Sequence, residues 1–220
     1  LQDKNTSRMS NTDEMVQALY DSIAETYLNS VKRTNYVVPE WLLKNLQPDF
    51  QTDGLRILDL GCANGINVAN LYKINSSIVA TGVDISEKMI GEARQTGLYE
   101  SLYRQSLDAG LAFSKADTYG MTIAFGCLEF VNDVDFCLSE IARVCVEGSH
   151  FYASFQRFEP DNPAAPRQMK SGEVLHFAYS RSKIVAKLNQ VGFQIVLAEE
   201  LIGYTGGVPC PYTLVVAQRN

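Results

Sequence analysis

Two features of the sequence have clear chemical potential, a glycine-bearing turn and a carboxylate at a fixed distance beyond it. The run DLGCANG occupies residues 59–65, and Asp84 closes the run SIVATGVD, nineteen residues past Gly65. A turn of this composition brings the backbone close to a ligand. Gly61 permits the tight bend, and Gly65 lets the next helix start against it. A carboxylate ending the following strand can accept both hydroxyl hydrogens of a ribose. Asp59, at the head of the turn, repels phosphate and attracts an ammonium group. Together these residues suit an adenosine compound whose tail is not a pyrophosphate, and that chemistry points to S-adenosylmethionine. A dinucleotide fingerprint would need glycines at 61, 63 and 66, where the chain has Ala63 and Ile66, so NAD(P) is the weaker alternative.

Such groups need a scaffold, and the hydrophobic pattern supplies one. LRILDL (55–60) is a short apolar run flanked by Gly54 and Gly61, as expected of a buried strand. Strands are predicted near 55–60, 78–83, 101–106, 120–126, 149–155, 193–202 and 212–218, most of them separated by helical patterns. Residues 12–29 place Met15, Leu19, Ile23 and Tyr27 on one helical face with Thr12 or Asn11 as cap, and a second helix follows Pro39. Val134, Leu138, Ile141 and Cys145 are spaced as a further helix. Alternating strands and helices imply an α/β fold, doubly wound and Rossmann-like, with a seven-stranded, mainly parallel sheet. The last two strands are joined only by GYTGGVPCPY (203–212), too short for a crossover helix, so they form an antiparallel C-terminal hairpin. Residues 157–174 hold three of the seven prolines and little periodicity, which predicts a loop over the active edge.

The chain's 220 residues predict a single domain. Its expected parts are an N-terminal helical lid (1–50), a cofactor-binding core (51–156), a substrate-side loop (157–180) and a C-terminal helix and hairpin (181–220). The composition is 46% hydrophobic and 20% charged, enough for a real core. A net charge of -6 gives no basic field for a phosphate backbone, which disfavours nucleic acid as a partner. No apolar run reaches membrane-spanning length and the polar start does not read as a signal peptide, so a cytoplasmic protein without a membrane partner is expected. The five cysteines form no CxxC, which argues for reduced thiols and no metal site.

On Asp59, Gly61, Ala63 and Gly65 the chain resembles the class I S-adenosylmethionine-dependent methyltransferases, whose first motif is commonly written (D/E)xGxGxG. The stretches 18–46, 83–103 and 192–216 are similar to a small-molecule subgroup that includes the Williams-Beuren-region methyltransferase-like proteins and bacterial relatives. The resemblance implies that Gly61, Cys62 and Ala63 line the methionine part of the cofactor, that Asp84 holds the ribose, and that Ile85 and Met89 pack on the adenine. The subgroup often has Asp-Leu after the third strand; this chain has Ser106-Leu107, with Asp108 one step beyond. Gly126 and Cys127 would contact the cofactor. Tyr20 and Tyr27 resemble an aromatic lid, although a face packed on the sheet would serve them equally.

Methyl transfer is an in-line displacement at a sulfonium, so alignment and a dry pocket do most of the work, and an alcohol acceptor also needs a base. The acceptor is expected to be a small molecule. Candidates for the base or for acceptor binding are Glu129, which the resemblance implies lies toward the substrate, and His176 with Tyr179, between the proline-rich loop and the next helix. Arg157, Arg167 and Lys170 could instead recognise an acidic acceptor. A cofactor-binding protein that transfers no methyl group, acting in a cyclisation or as a partner subunit, is the rival expectation.

Overall fold

The computed structural model describes residues 10–157, 167–171, 174–206 and 209–220. Nine strands are described: β1 (Arg56–Leu60), β2 (Val79–Asp84), β3 (Tyr99–Arg104), β4 (Tyr119–Ala124), β5 (Cys145–Gln156), β6 (Arg167–Ser171), β7 (Val174–Ala178), β8 (Phe193–Tyr204) and β9 (Cys210–Arg219). Seven form one sheet in the order β3-β2-β1-β4-β5-β9-β8. The first five run parallel, whereas β9 pairs antiparallel with both β5 and β8. The Rossmann-like expectation and its closing hairpin therefore hold, and β9 inserts between β5 and the edge.

The central strands β1 and β4 read as largely apolar runs because both faces are covered, whereas β3 and β8 at the edges are partly exposed. Along β1, Ile57 joins one core with Met121, Ile123, Tyr152, Leu214 and Val216. Leu58 and Leu60 point the other way, joining Phe151, Ala153, Phe155, Val215 and Ala217. Helices α3 (Val38–Lys44) and α4 (Ile66–Tyr72) cover the first face through Trp41, Leu42, Val68 and Leu71. Helices α6 (Val134–Val144) and α7 (Arg181–Gln190) cover the second through Leu138, Ile141, Ile184 and Leu188. Cys145, predicted on the α6 face, instead begins β5.

The N-terminal helix departs from its expected face. Helix α1 (Asn11–Ile23) is capped by Ser10, in a reciprocal box with Asp13, rather than by Asn11 or Thr12. A 3-10 turn (Ala24–Thr26) separates it from α2 (Tyr27–Arg33). Its buried residues are Asp13 and Val16, while Leu19 is exposed. Hydrophobicity misplaces this face because α1 packs over a polar edge, where a carboxylate finds partners.

The second departure lies within 157–174. Part of the expected loop is strand: β6 and β7 form an antiparallel pair, from Arg167 opposite Ala178 to Ser171 opposite Val174. These backbones satisfy each other outside the main sheet, and such pairing needs no hydrophobic alternation in the strand that carries it. The prolines at 160, 163 and 166 lie outside the described residues.

Candidate functional site

The carboxyl ends of β1 to β4 open into a hollow of about 620 Å³, counting the space open to solvent, roofed by α1 and the start of α2. Its floor is the turn after β1. There Gly61 and Ala63 both adopt left-handed backbone, at φ 65° and 45°. Gly61 is required sterically, since a Cβ there would lie 2.6 Å from the Cβ of Cys127 in the turn after β4. Gly65 adopts φ 82° at the start of α4, where an added Cβ would meet the Tyr99 ring at 3.0 Å.

Asp84 ties two turns together. One oxygen accepts the Ala63 backbone N–H at 2.9 Å and the other accepts the Ser86 N–H, also at 2.9 Å. Burial pushes its carboxyl up to about 6, and those backbone donors hold it from rising further. Asp59 sits beneath the turn, fully buried, with Oδ2 accepting the Tyr99 hydroxyl at 2.8 Å. Burial drives it up to about 7, and the neighbouring Asp84 charge adds to that rise against the Tyr99 bond.

The roof is pinned by hydroxyls. Ser106 donates to Asp13 at 2.7 Å, and Ser86 donates to Asp21 at 2.5 Å. Asp21 also accepts the Lys88 backbone N–H at the start of α5 (Glu87–Gln95). Tyr20 and Tyr27 face each other with ring centroids 6.4 Å apart, and Tyr20 meets Phe130 edge-on at 6.0 Å.

Of the residues singled out in the sequence, Tyr20, Tyr27, Gly61, Ala63, Asp84, Ile85, Ser106, Leu107, Gly126 and Cys127 line this hollow together. Asp59, Cys62, Gly65 and Met89 stand behind that lining: Cys62 packs with Ile90 and Ala93, and Met89 packs with Ala24 and Ala63. Asp13, Val16, Gln105 and Phe130 also line it. The spacing of Asp13, Val16 and Tyr20 on one helical face is the signal that would have found the roof.

The catalytic candidates separate. His176 is buried on β7, its Nδ1 donating to Gln156 Oε1 at 2.5 Å, and burial holds its pKa below the ordinary value. Tyr179 belongs to the core, edge-on to Phe155 at 6.2 Å. Neither lines the hollow. Glu129 sits in the 3-10 turn Leu128–Phe130 just after the floor, 4% exposed. Its Oε1 accepts the Tyr212 hydroxyl at 2.8 Å, and its Oε2 has no partner. Burial pushes it up to about 7 against the pull of its own backbone N–H and of the Tyr212 bond. The Arg157 guanidinium pairs with Glu200 at 3.1 Å. The side chains of Arg167 and Lys170 lie outside the described residues. Among the described residues no three His, Cys, Asp or Glu side chains gather to hold a metal. No described helix is long and apolar enough to cross a membrane.

The segment from β1 into β5 matches a family described as a methyltransferase domain. The match covers residues 58–153. The matched segment carries the floor, Asp84 and the turn after β4, while α1, α2, β8 and β9 lie outside it. A ubiquinone biosynthesis O-methyltransferase of Rhizobium johnstonii is 30% identical over 106 residues, covering 46% of this chain and 41% of its own length. The chain thus spans about two fifths of the curated relatives it matches. Among solved structures, the [4+2]-cyclase SpnF superposes with a TM-score of 0.75 at 16% identity, over 96% of this chain and 97% of its own. An S-adenosylmethionine dependent methyltransferase from Mesorhizobium loti gives 0.66 at 23% identity, over 82% and 98%. These likenesses establish the fold around the domain.

Proposed function

We propose that this chain transfers a methyl group from S-adenosylmethionine to an oxygen or nitrogen of a small molecule. The observation that carries this reading is Asp84. A carboxylate offers about four lone-pair positions, and backbone N–H groups from Ala63 and Ser86 take one on each oxygen. What remains on the rim of the hollow suits two vicinal hydroxyls. Gly61 and Ala63 would hold the methionine part with Cys62 supporting them from behind, Ile85, Ser106 and Leu107 the adenine end with Met89 packed beneath, and Gly126, Cys127, Tyr20 and Tyr27 the remaining sides. The bound group supplies a methyl carbon on a positively charged sulfur. The chain's own part is to align acceptor and methyl and to keep water out. The finer resemblance to the Williams-Beuren-region subgroup belongs to this proposal, supported by the stretches 18–46, 83–103 and 192–216, as does a cytoplasmic setting.

Calorimetric titration with S-adenosylhomocysteine tests it. Saturable binding that is lost in Asp84→Ala is expected, and no binding to the folded wild-type protein overturns the reading. A second reading, cofactor binding without methyl transfer, draws support from the SpnF likeness and from His176 and Tyr179 standing outside the hollow. Product formed without transfer of label from methyl-labelled cofactor would establish it.

A further inference from the structure

Among the described residues Asp13 is the one carboxylate that the roof sends into the hollow. It is 7% exposed, and its hydrogen bonds leave a definite gap. Oδ2 accepts both the backbone N–H and the hydroxyl of Ser10, each at 3.0 Å, and Oδ1 accepts the Ser106 hydroxyl at 2.7 Å. A carboxylate offers about four lone-pair positions, so the position still open is on Oδ1. The Ser106 oxygen accepts the Asp108 backbone N–H at 3.2 Å while its hydrogen goes to Asp13, which leaves it a free acceptor position too. Side by side, these two oxygens offer acceptors and no donor. The neighbouring Gln105 turns its amide N–H to the Gly110 carbonyl. Among the described residues no lysine, arginine or histidine lines the hollow, so no cation of the lining competes for Asp13.

The sheet order β3-β2-β1-β4 lays the rim of the hollow out as a row. Ser106 and Leu107 follow β3, Ile85 follows β2, Gly61 and Ala63 follow β1, and Gly126 and Cys127 follow β4. A ribose on Asp84, at the end of β2, leaves one direction toward β1 and β4 and another toward β3. Toward β3 the flanks are apolar, with Val16 from the roof and Ile85 and Leu107 from the rim, and the polar edge is Asp13 with Ser106. Apolar flanks with a few placed polar atoms suit a flat heterocycle. We infer that Asp13 selects the base of the cofactor: its open Oδ1 position accepts a hydrogen from the exocyclic amino group of adenine, so that α1 closes over an amino-bearing purine in preference to a keto-bearing one. This deepens the methyltransferase reading and rests on it. The exocyclic amino group of adenine donates, whereas a keto oxygen in its place only accepts. A keto oxygen would face the oxygens of Asp13 and Ser106, acceptor against acceptor, and stay unpaired in a buried place. Because the group that reads the base is carried by the helix that closes, recognition and closure are one event. Asp13 ties α1 to Ser106 past β3, and Asp21 ties it to Ser86 past β2. A base that bonds to Asp13 adds to these ties.

The test titrates the full chain by calorimetry with S-adenosylhomocysteine and with S-inosylhomocysteine, which carries a keto oxygen where the first carries the amino group. The inosyl compound is expected to bind about tenfold more weakly, or worse. Asp13→Asn presents an amide that can donate to the keto oxygen, so the ratio of the two affinities should fall roughly threefold or more toward unity. Loss of the cap on α1 would weaken both ligands alike and leave their ratio unmoved. Ser10→Ala supplies that control, since it removes the capping hydroxyl and keeps Asp13 Oδ1, and its ratio should equal the wild-type one. Amide exchange gives a readout of closure. Saturating S-adenosylhomocysteine should slow exchange across residues 11–23 about fivefold, and S-inosylhomocysteine at equal occupancy should slow it less. The inference falls while the cofactor reading stands if wild type binds both ligands equally, if Asp13→Asn keeps the wild-type ratio, if Ser10→Ala shifts the ratio as far as Asp13→Asn does, or if both ligands protect α1 equally. If S-adenosylhomocysteine itself fails to bind, the cofactor reading falls and takes this inference with it.

Discussion

Gly61 and Cys127 come from turns 66 residues apart in sequence, and only the absence of a side chain on Gly61 lets them meet. A Cβ at Gly61 would lie 2.6 Å from the Cβ of Cys127, and the glycine sits at φ 65°. Gly61→Ala therefore combines left-handed strain with overpacking against the floor. A loss of about 2–4 kcal/mol is expected, read as a lower thermal midpoint, with S-adenosylhomocysteine binding weakened beyond detection by calorimetry.

Asp84 predicts a pH dependence of cofactor binding. Ribose hydroxyls would donate to the ionised carboxylate, and a proton competes with them. Because burial sets this carboxyl at about 6, S-adenosylhomocysteine affinity should be steady above pH 7 and fall as pH drops through 6, approaching tenfold per unit below it. Asp84→Asn loses an acceptor position needed by Ala63 or Ser86 as well as the ribose. A loss of at least tenfold in affinity is expected across the whole range, with the pH dependence flattened. Calorimetry between pH 5 and 8 reads both.

Asp59 makes the opposite kind of statement, about stability. Its folded pKa is raised from 3.8 to about 7 by burial, so the folded state holds a proton that the unfolded chain has released. Its contribution is fully present below the unfolded value and is lost as pH rises through the folded one, by at most about 1.4 kcal/mol per unit. Asp59→Asn, which keeps an acceptor for the Tyr99 hydroxyl, should remove this loss. Its stability relative to wild type should climb between pH 5 and 7 and level off above, measured by urea denaturation at each pH.

The roof is held by few bonds. Asp21 accepts from Ser86 and from the Lys88 backbone N–H, and Asp13 accepts from Ser106. Asp21→Ala should loosen α1 without opening the sheet core. Amide exchange across residues 11–23 is expected to quicken about tenfold, and S-adenosylhomocysteine to dissociate faster, with exchange in β1 and β4 unchanged. Hydrogen exchange with mass spectrometry separates the two regions.

The sequence by itself determined the floor. Apolar runs of strand length, glycines at 61 and 65, and a carboxylate nineteen residues on are local facts, and local sterics and register convert them into a turn and a strand end. That is why β1, β2, β4 and Asp84 stand where the pattern places them. Tertiary structure alone decided the roof and the surroundings of Glu129. Leu19 is apolar yet exposed, while Asp13 is buried because Ser106 and Ser10 satisfy it. The β6–β7 pair forms because each backbone completes the other, a property of two segments together. Glu129, Tyr36, Tyr204 and Tyr212 are scattered over more than 170 residues. They become neighbours only when β9 inserts between β5 and β8, and no spacing rule records a contact made by sheet order.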